Sequence, residues 1–171
     1  MALTKVNRAG LNTGISDSSS ATAITIDSSG RVTMSSQPCF SATASINDIP
    51  LDTLTTIPLS SERFDVGNNL ASNTFTAPIT GKYLFTYMFY FFDVDVDHTS
   101  LDVHIKTSNK QYQQTFSPDH FVDTDTLFSI SGSVIADMDA NDTLIYTTYI
   151  QGGSAISSIH GDSQVSGCLL V

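Results

Sequence analysis

The run "DVDVDH", residues 93–98, alternates three aspartates with two valines before a histidine. Asp93, Asp95 and Asp97 offer the hard oxygen ligands that calcium prefers, and a spacing of two along a strand places all three on one face. The run lacks the Gly and Glu of an EF-hand loop, so that particular site is excluded. A charged run of this kind also serves as a solvated strand edge that discourages pairing with another chain. Asp119, Asp123 and Asp125 in "SPDHFVDTD" read the same way, as a polar loop at the rim. His98, His104, His120 and His160 show no paired ligand spacing such as HExxH, and His104, alternating with Asp102, reads as a surface residue. "IHGDS" brings together His160, Asp162 and Ser163, the residue types of a hydrolase. Sequence neighbours rarely reach the geometry of a triad, however, and no GxSxG elbow is present. With no phosphate loop and no zinc pattern either, the sequence reads as a non-enzyme.

The elements that must position these groups are strands. Ser and Thr make up about a quarter of the 171 residues, and the acid is almost wholly Asp, with Glu62 the only glutamate. Strong helix formers never recur at 3.6-residue spacing over a dozen positions, so the chain reads as all-β. Short alternating segments bounded by turn residues follow one another from Pro38: "CFSATAS", "NTFTAP", "SLDVHIKT", "QYQQTFS", "DTLFSISGSVIADM", "DTLIYTTYIQGG" and "SQVSGCLLV". The segment "IPLDTLTTIPLSSERFDV" carries two prolines and belongs to edge or loop structure. After the turn signal Pro78 to Gly81, "KYLFTYMFYFF" sets Tyr83, Phe85, Tyr87, Phe89 and Phe91 on one face and Leu84, Met88, Tyr90 and Phe92 on the other, with Thr86 between them. A strand apolar on both faces is covered on its outer side, and few other large apolar groups are at hand, which favours a second subunit. About eight to ten antiparallel strands make a jelly-roll sandwich the expected fold.

Charge and cysteine set further bounds. A net charge of -10 repels phosphate backbones and anionic head groups, so the sequence argues against nucleic-acid and membrane-surface partners. No apolar leader opens the chain and no stretch approaches the ~20 apolar residues of a membrane span, so no membrane insertion is expected, and synthesis in a host cytoplasm is. Cys39 and Cys168 stand far apart in sequence. In a cytosolic product the expectation is free, buried thiols, whereas a bridge is favoured if the first and last strands are neighbours.

The first 37 residues form an arm of a different character. They contain a serine run and two short alternating pieces, "TAITID" and "RVTM", joined by the turn signal "SSG". Large apolar groups are too few to offset an ordering cost of roughly 1–2 kcal/mol per residue, so the arm must gain order by packing on a partner or on copies of itself. Lys5, Arg8 and Arg31 against Asp17 and Asp27 give residues 1–35 a slight basic excess, and the rest of the chain carries the acidity.

Residues 38–171 resemble the globular head of the first complement component, within the tumour necrosis factor-like jelly-roll superfamily. The resemblance rests on Phe40-Ser41-Ala42, then Phe64-Asp65-Val66 with Asn68 or Asn69. Next come Phe75, Ala77, Pro78, Gly81, Tyr83 and Phe85 as "F.aP..G.Y.F", Met138 to Leu144, and finally Val165, Gly167, Leu169 and Leu170. A collagen-like stalk is absent and Val165 replaces the terminal aromatic, so complement-type signalling is not implied. In place of a stalk, "LNTG" and "AITIDSSGRVTM" resemble segments of bacteriophage fibre and virion-surface proteins. The resemblance implies a homotrimer, with Tyr83, Phe85, Tyr87, Phe89 and Phe91, or the alternate set, along the seam. Calcium, which some relatives bind, is permitted but not placed.

Two functions are expected from this reading. In the first, the protein is a capsid decoration or cement protein on the virion surface. Leu3, Lys5, Val6, Arg8, Leu11, Ile15, Ile24 and Ile26 then anchor it to the major capsid protein, and three arms act together through avidity. In the second, it is the knob of a tail or head fibre that binds a host surface glycan or protein. The chain reads as an independent short product with an arm too short for a fibre, which favours the first.

Overall fold

A computed structural model describes residues 24–121, 126–154 and 156–171. The chain divides into two compact units, Met1–Ser35 and Ser36–Val171. In the first, β1 (Thr25–Ile26) and β2 (Val32–Thr33) pair as an antiparallel hairpin. Asp27 closes its turn by accepting the backbone N–H groups of Ser29 at 2.8 Å and Arg31 at 3.0 Å, with the Arg31 guanidinium at 2.7 Å. The Arg31 backbone N–H and side chain hold this exposed carboxyl below its ordinary pKa.

The second unit is a sandwich of two antiparallel sheets, as its alternating segments predict. Its strands are β3 (Cys39–Ile46), β4 (Thr55–Thr56), β5 (Leu59–Val66), β6 (Leu70–Ala71), β7 (Thr74–Thr76), β8 (Gly81–Val94), β9 (His98–Thr107), β10 (Gln111–Phe116), β11 (Thr126–Met138), β12 (Thr143–Gly152) and β13 (Ser158–Leu169). One sheet is five-stranded, in the order β11-β8-β13-β3-β5; the other is six-stranded, β10-β9-β12-β7-β6, with β4 beside β12. The proline-bearing segment supplies β4 and the edge strand β5.

The "F.aP..G.Y.F" residues are where the sheets meet. Phe75 from one sheet packs edge-on to Tyr83 and Phe85 from the other, at 5.6 Å each, and stacks on Phe40 of β3 at 5.0 Å. All four are buried. Gly167 of β13 lies among them, and a Cβ there would fall 2.5 Å from Phe85 and 2.6 Å from Phe40, so the rings occupy the place of a side chain.

Cys39 and Cys168 are register partners on β3 and β13 and form a disulfide. The expectation of free thiols is thereby corrected. The first and last strands of the sandwich are neighbours, and this brings together residues 129 positions apart in sequence.

Candidate functional site

Alternation along β8 decides which groups the five-stranded sheet can offer to a partner. Tyr83, Phe85, Phe89 and Phe91 point into the sandwich and are fully buried, and Tyr87 is nearly so. One chain's own core consumes that row, so any seam on this strand falls to the alternate set, Leu84, Thr86, Met88, Tyr90 and Phe92. The neighbouring strands extend this outer face. Ile135 and Cys168 flank Leu84, Ser133 and Ser166 flank Thr86, and Ser131 and Gln164 flank Met88. Thr86 and Ser166 hydrogen-bond through their hydroxyls at 2.7 Å. Met88 is 46% exposed, Ile135 60% and Leu127 63%. Large apolar side chains exposed together on one sheet face mark an interaction surface.

A bulge in β13 raises one end of this face. Between Ile159, opposite Phe91, and Gln164, opposite Met88, β13 takes five steps where β8 takes three. The extra residues push His160, Gly161 and Asp162 outward. His160 lies 5.4 Å from the Tyr90 ring and 6.2 Å from that of Phe92, and its Nδ1 is 3.3 Å from an Asp162 carboxylate oxygen. Ser163 is fully buried, and its hydroxyl oxygen accepts the Tyr90 N–H at 2.9 Å. The "IHGDS" residues therefore shape a surface: the serine secures the bulge while histidine and aspartate face solvent.

The three aspartates of "DVDVDH" do not line one strand face. β8 ends at Val94 and the chain turns before β9 begins at His98, so the alternation is interrupted. Asp93 and Asp97 are exposed, and Asp93 has a positive φ of 59°. Asp95 is buried and its carboxylate accepts the Asp97 N–H at 3.0 Å, a common role for Asp in a turn. Among the described residues, no group of three or more His, Cys, Asp or Glu is arranged to hold a metal ion.

His98 has a structural role that its sequence context did not signal. Fully buried, it donates from Nδ1 to the Gly152 carbonyl at 2.9 Å and contacts the Ser157 hydroxyl through Nε2 at 3.2 Å. Ser157 in turn donates to the Asp93 carbonyl at 3.0 Å, so the acidic turn is tied to the chain segments after β12. His104 is likewise buried rather than on the surface. Its Nδ1 meets the Thr147 hydroxyl at 3.0 Å, and burial lowers its pKa, opposed by nearby Asp102. On β9, His104 lies between β10 and β12, opposite Gln113 and Thr147, and His98 is covered by the chain around Gly152 and Ser157.

Of the other candidate residues, Asp119 lies in an exposed 3-10 turn, Pro118–His120, and Asp123 and Asp125 fall outside the described residues. So do the arm residues Leu3, Lys5, Val6, Arg8, Leu11 and Ile15. Ile24 is exposed, together with Val32 and Met34, and Ile26 contributes its backbone to β1. No described helix is long and apolar enough to cross a membrane.

Comparison with known proteins shows the fold. No family model matches the chain, and no curated protein does. Among solved structures, the globular domain of zebrafish complement 1qA protein aligns with a TM-score of 0.57 at 15% identity, covering 78% of this chain and 98% of that one. Murine APRIL aligns with a TM-score of 0.54 at 13% identity, covering 78% and 99%. The sandwich is thus a jelly roll similar to complement and tumour necrosis factor-like heads.

Proposed function

We propose that the protein is a structural component of a bacteriophage virion: a homotrimeric capsid decoration protein whose N-terminal arm binds the major capsid protein and whose acidic jelly-roll head faces outward. The observation that carries the trimer is the outer face of the five-stranded sheet. Met88, Leu127 and Ile135 stand in water there although the strand's other face already fills a complete core. At ~25 cal/mol per Å2 of apolar surface, burying this face between copies supplies a substantial driving force. The exposed Ile24, Val32 and Met34 suit an arm that gains its order on a capsid surface, and three arms on one trimer raise the avidity. The acidity of the chain fits a surface in contact with water rather than with packaged nucleic acid.

The test is to label purified virions with gold-conjugated antibody against residues 38–171, alongside capsid binding by a variant lacking residues 1–35. Gold spread over the heads, with binding lost in the truncated variant, is the expected result. Gold confined to fibre ends would make the protein an adhesin that binds a host glycan or protein. Unlabelled particles would refute a virion role.

A further inference from the structure

The edge strands β10 and β11 leave a gap on one side of the sandwich. Between them lies a cleft of about 130 Å3, open to solvent on one side and lined by Ile105, Tyr112, Val134 and Gln114 among others. A volume near ~150 Å3 is enough for a benzene-sized ring. Lys110 lies 5.0 Å from the centre of the Tyr112 ring, which steadies that wall.

The polar end of the cavity is built by Tyr87 and Gln114. The Tyr87 hydroxyl donates to Gln114 Oε1 at 2.6 Å, which turns the amide so that Nε2 keeps its donors for another partner. Burial raises the Tyr87 pKa, so the phenol stays protonated and its oxygen keeps a lone pair to accept with. Gly132, the cross-strand partner of Tyr87, leaves room for that hydroxyl, because a Cβ there would lie 2.7 Å from it. Covering an edge glycine with a cross-strand aromatic ring explains where Tyr87 lies. It does not explain the unfilled space beside the ring.

A hydroxyl matches this end. A ligand hydroxyl can donate to the Tyr87 oxygen and accept from Gln114 Nε2 at the same time, while a ring lies between Ile105, Tyr112 and Val134. A carboxylate meets no cationic side chain in the cavity wall and a chain of net charge -10. We propose that the cavity between β10 and β11 binds a small, neutral, ring-bearing molecule with a single hydroxyl, of the phenol or benzyl alcohol class. The site lies at the edge of the sandwich, between the inner sides of β10 and β11.

Titration of the full chain with phenol, followed through the methyl resonances of Ile105 and Val134, tests the assignment. Saturable shifts confined to the cavity are expected, with toluene binding about fivefold more weakly because it lacks the hydroxyl. Val134→Trp fills the cavity and should abolish binding. Gln114→Leu, at an exposed position, removes one of the two hydroxyl partners and should lessen the preference for phenol over toluene. Absence of saturable shifts, retained binding in a folded Val134→Trp variant, or an undiminished phenol preference in Gln114→Leu would each overturn the proposal.

Discussion

Tyr146 crosses the core from β12 and shares its hydroxyl proton between the carbonyl oxygens of Thr86, at 3.0 Å, and Ser166, at 3.3 Å. A fully buried phenol tied to the backbone of the opposite sheet is strongly disfavoured from ionising, and its pKa is raised by burial. Tyr146→Phe keeps the ring and loses the tie, so urea unfolding should show a loss of about 1–2 kcal/mol. Gly167→Ala should cost more, about 1–3 kcal/mol, because Phe85 and Phe40 must both move. His104 gives a pH dependence of definite sign. Because burial lowers its pKa in the fold, the unfolded chain takes up the proton first on acidification. Its contribution is complete above the ordinary value near ~6.5 and is lost as pH falls below it. Urea midpoints measured between about pH 8 and pH 5 should fall, and His104→Gln should flatten part of that slope.

At the scale of elements, β8 fixes both the core and the candidate surface. Met88→Asp and Ile135→Asp alter side chains that the single chain leaves in water, so the fold should persist, with stability changes within about 0.5 kcal/mol, while self-association is lost. Circular dichroism and light scattering on the same samples separate these two effects. The strands of the sandwich were legible in the sequence because turn residues punctuate clear alternation, and the doubly apolar character of β8 was legible too. Which of its faces turned inward was not, since Tyr and Phe populate both rows and only the opposing sheet settles the choice. The bulge escaped notice because "IHGDS" has loop composition, yet Ser163 anchors it within a strand by accepting the Tyr90 N–H. "DVDVDH" misled in the opposite way: its alternation suggests a strand, but Asp95 favours a turn that its own carboxylate closes. The burial of His104 depended on neighbouring strands that no local pattern announces.

Over the whole molecule, the Cys39–Cys168 disulfide joins the first and last strands of the jelly roll. Cross-linking a loop of that length restricts the unfolded chain, so Cys168→Ser should lower stability by about 2–4 kcal/mol, measured against the oxidised protein in urea. The strand pair would remain in place, since β13 is also paired along β8. In the proposed trimer, the outer face of the five-stranded sheet, with its exposed Met88 and Ile135, is buried between three copies of the chain. Sedimentation equilibrium of the protein, compared with the Met88→Asp and Ile135→Asp double variant, tests this arrangement. The native protein should have the mass of three chains and the folded variant that of one. A native protein that sediments as a single chain, or a variant that remains trimeric, would contradict it.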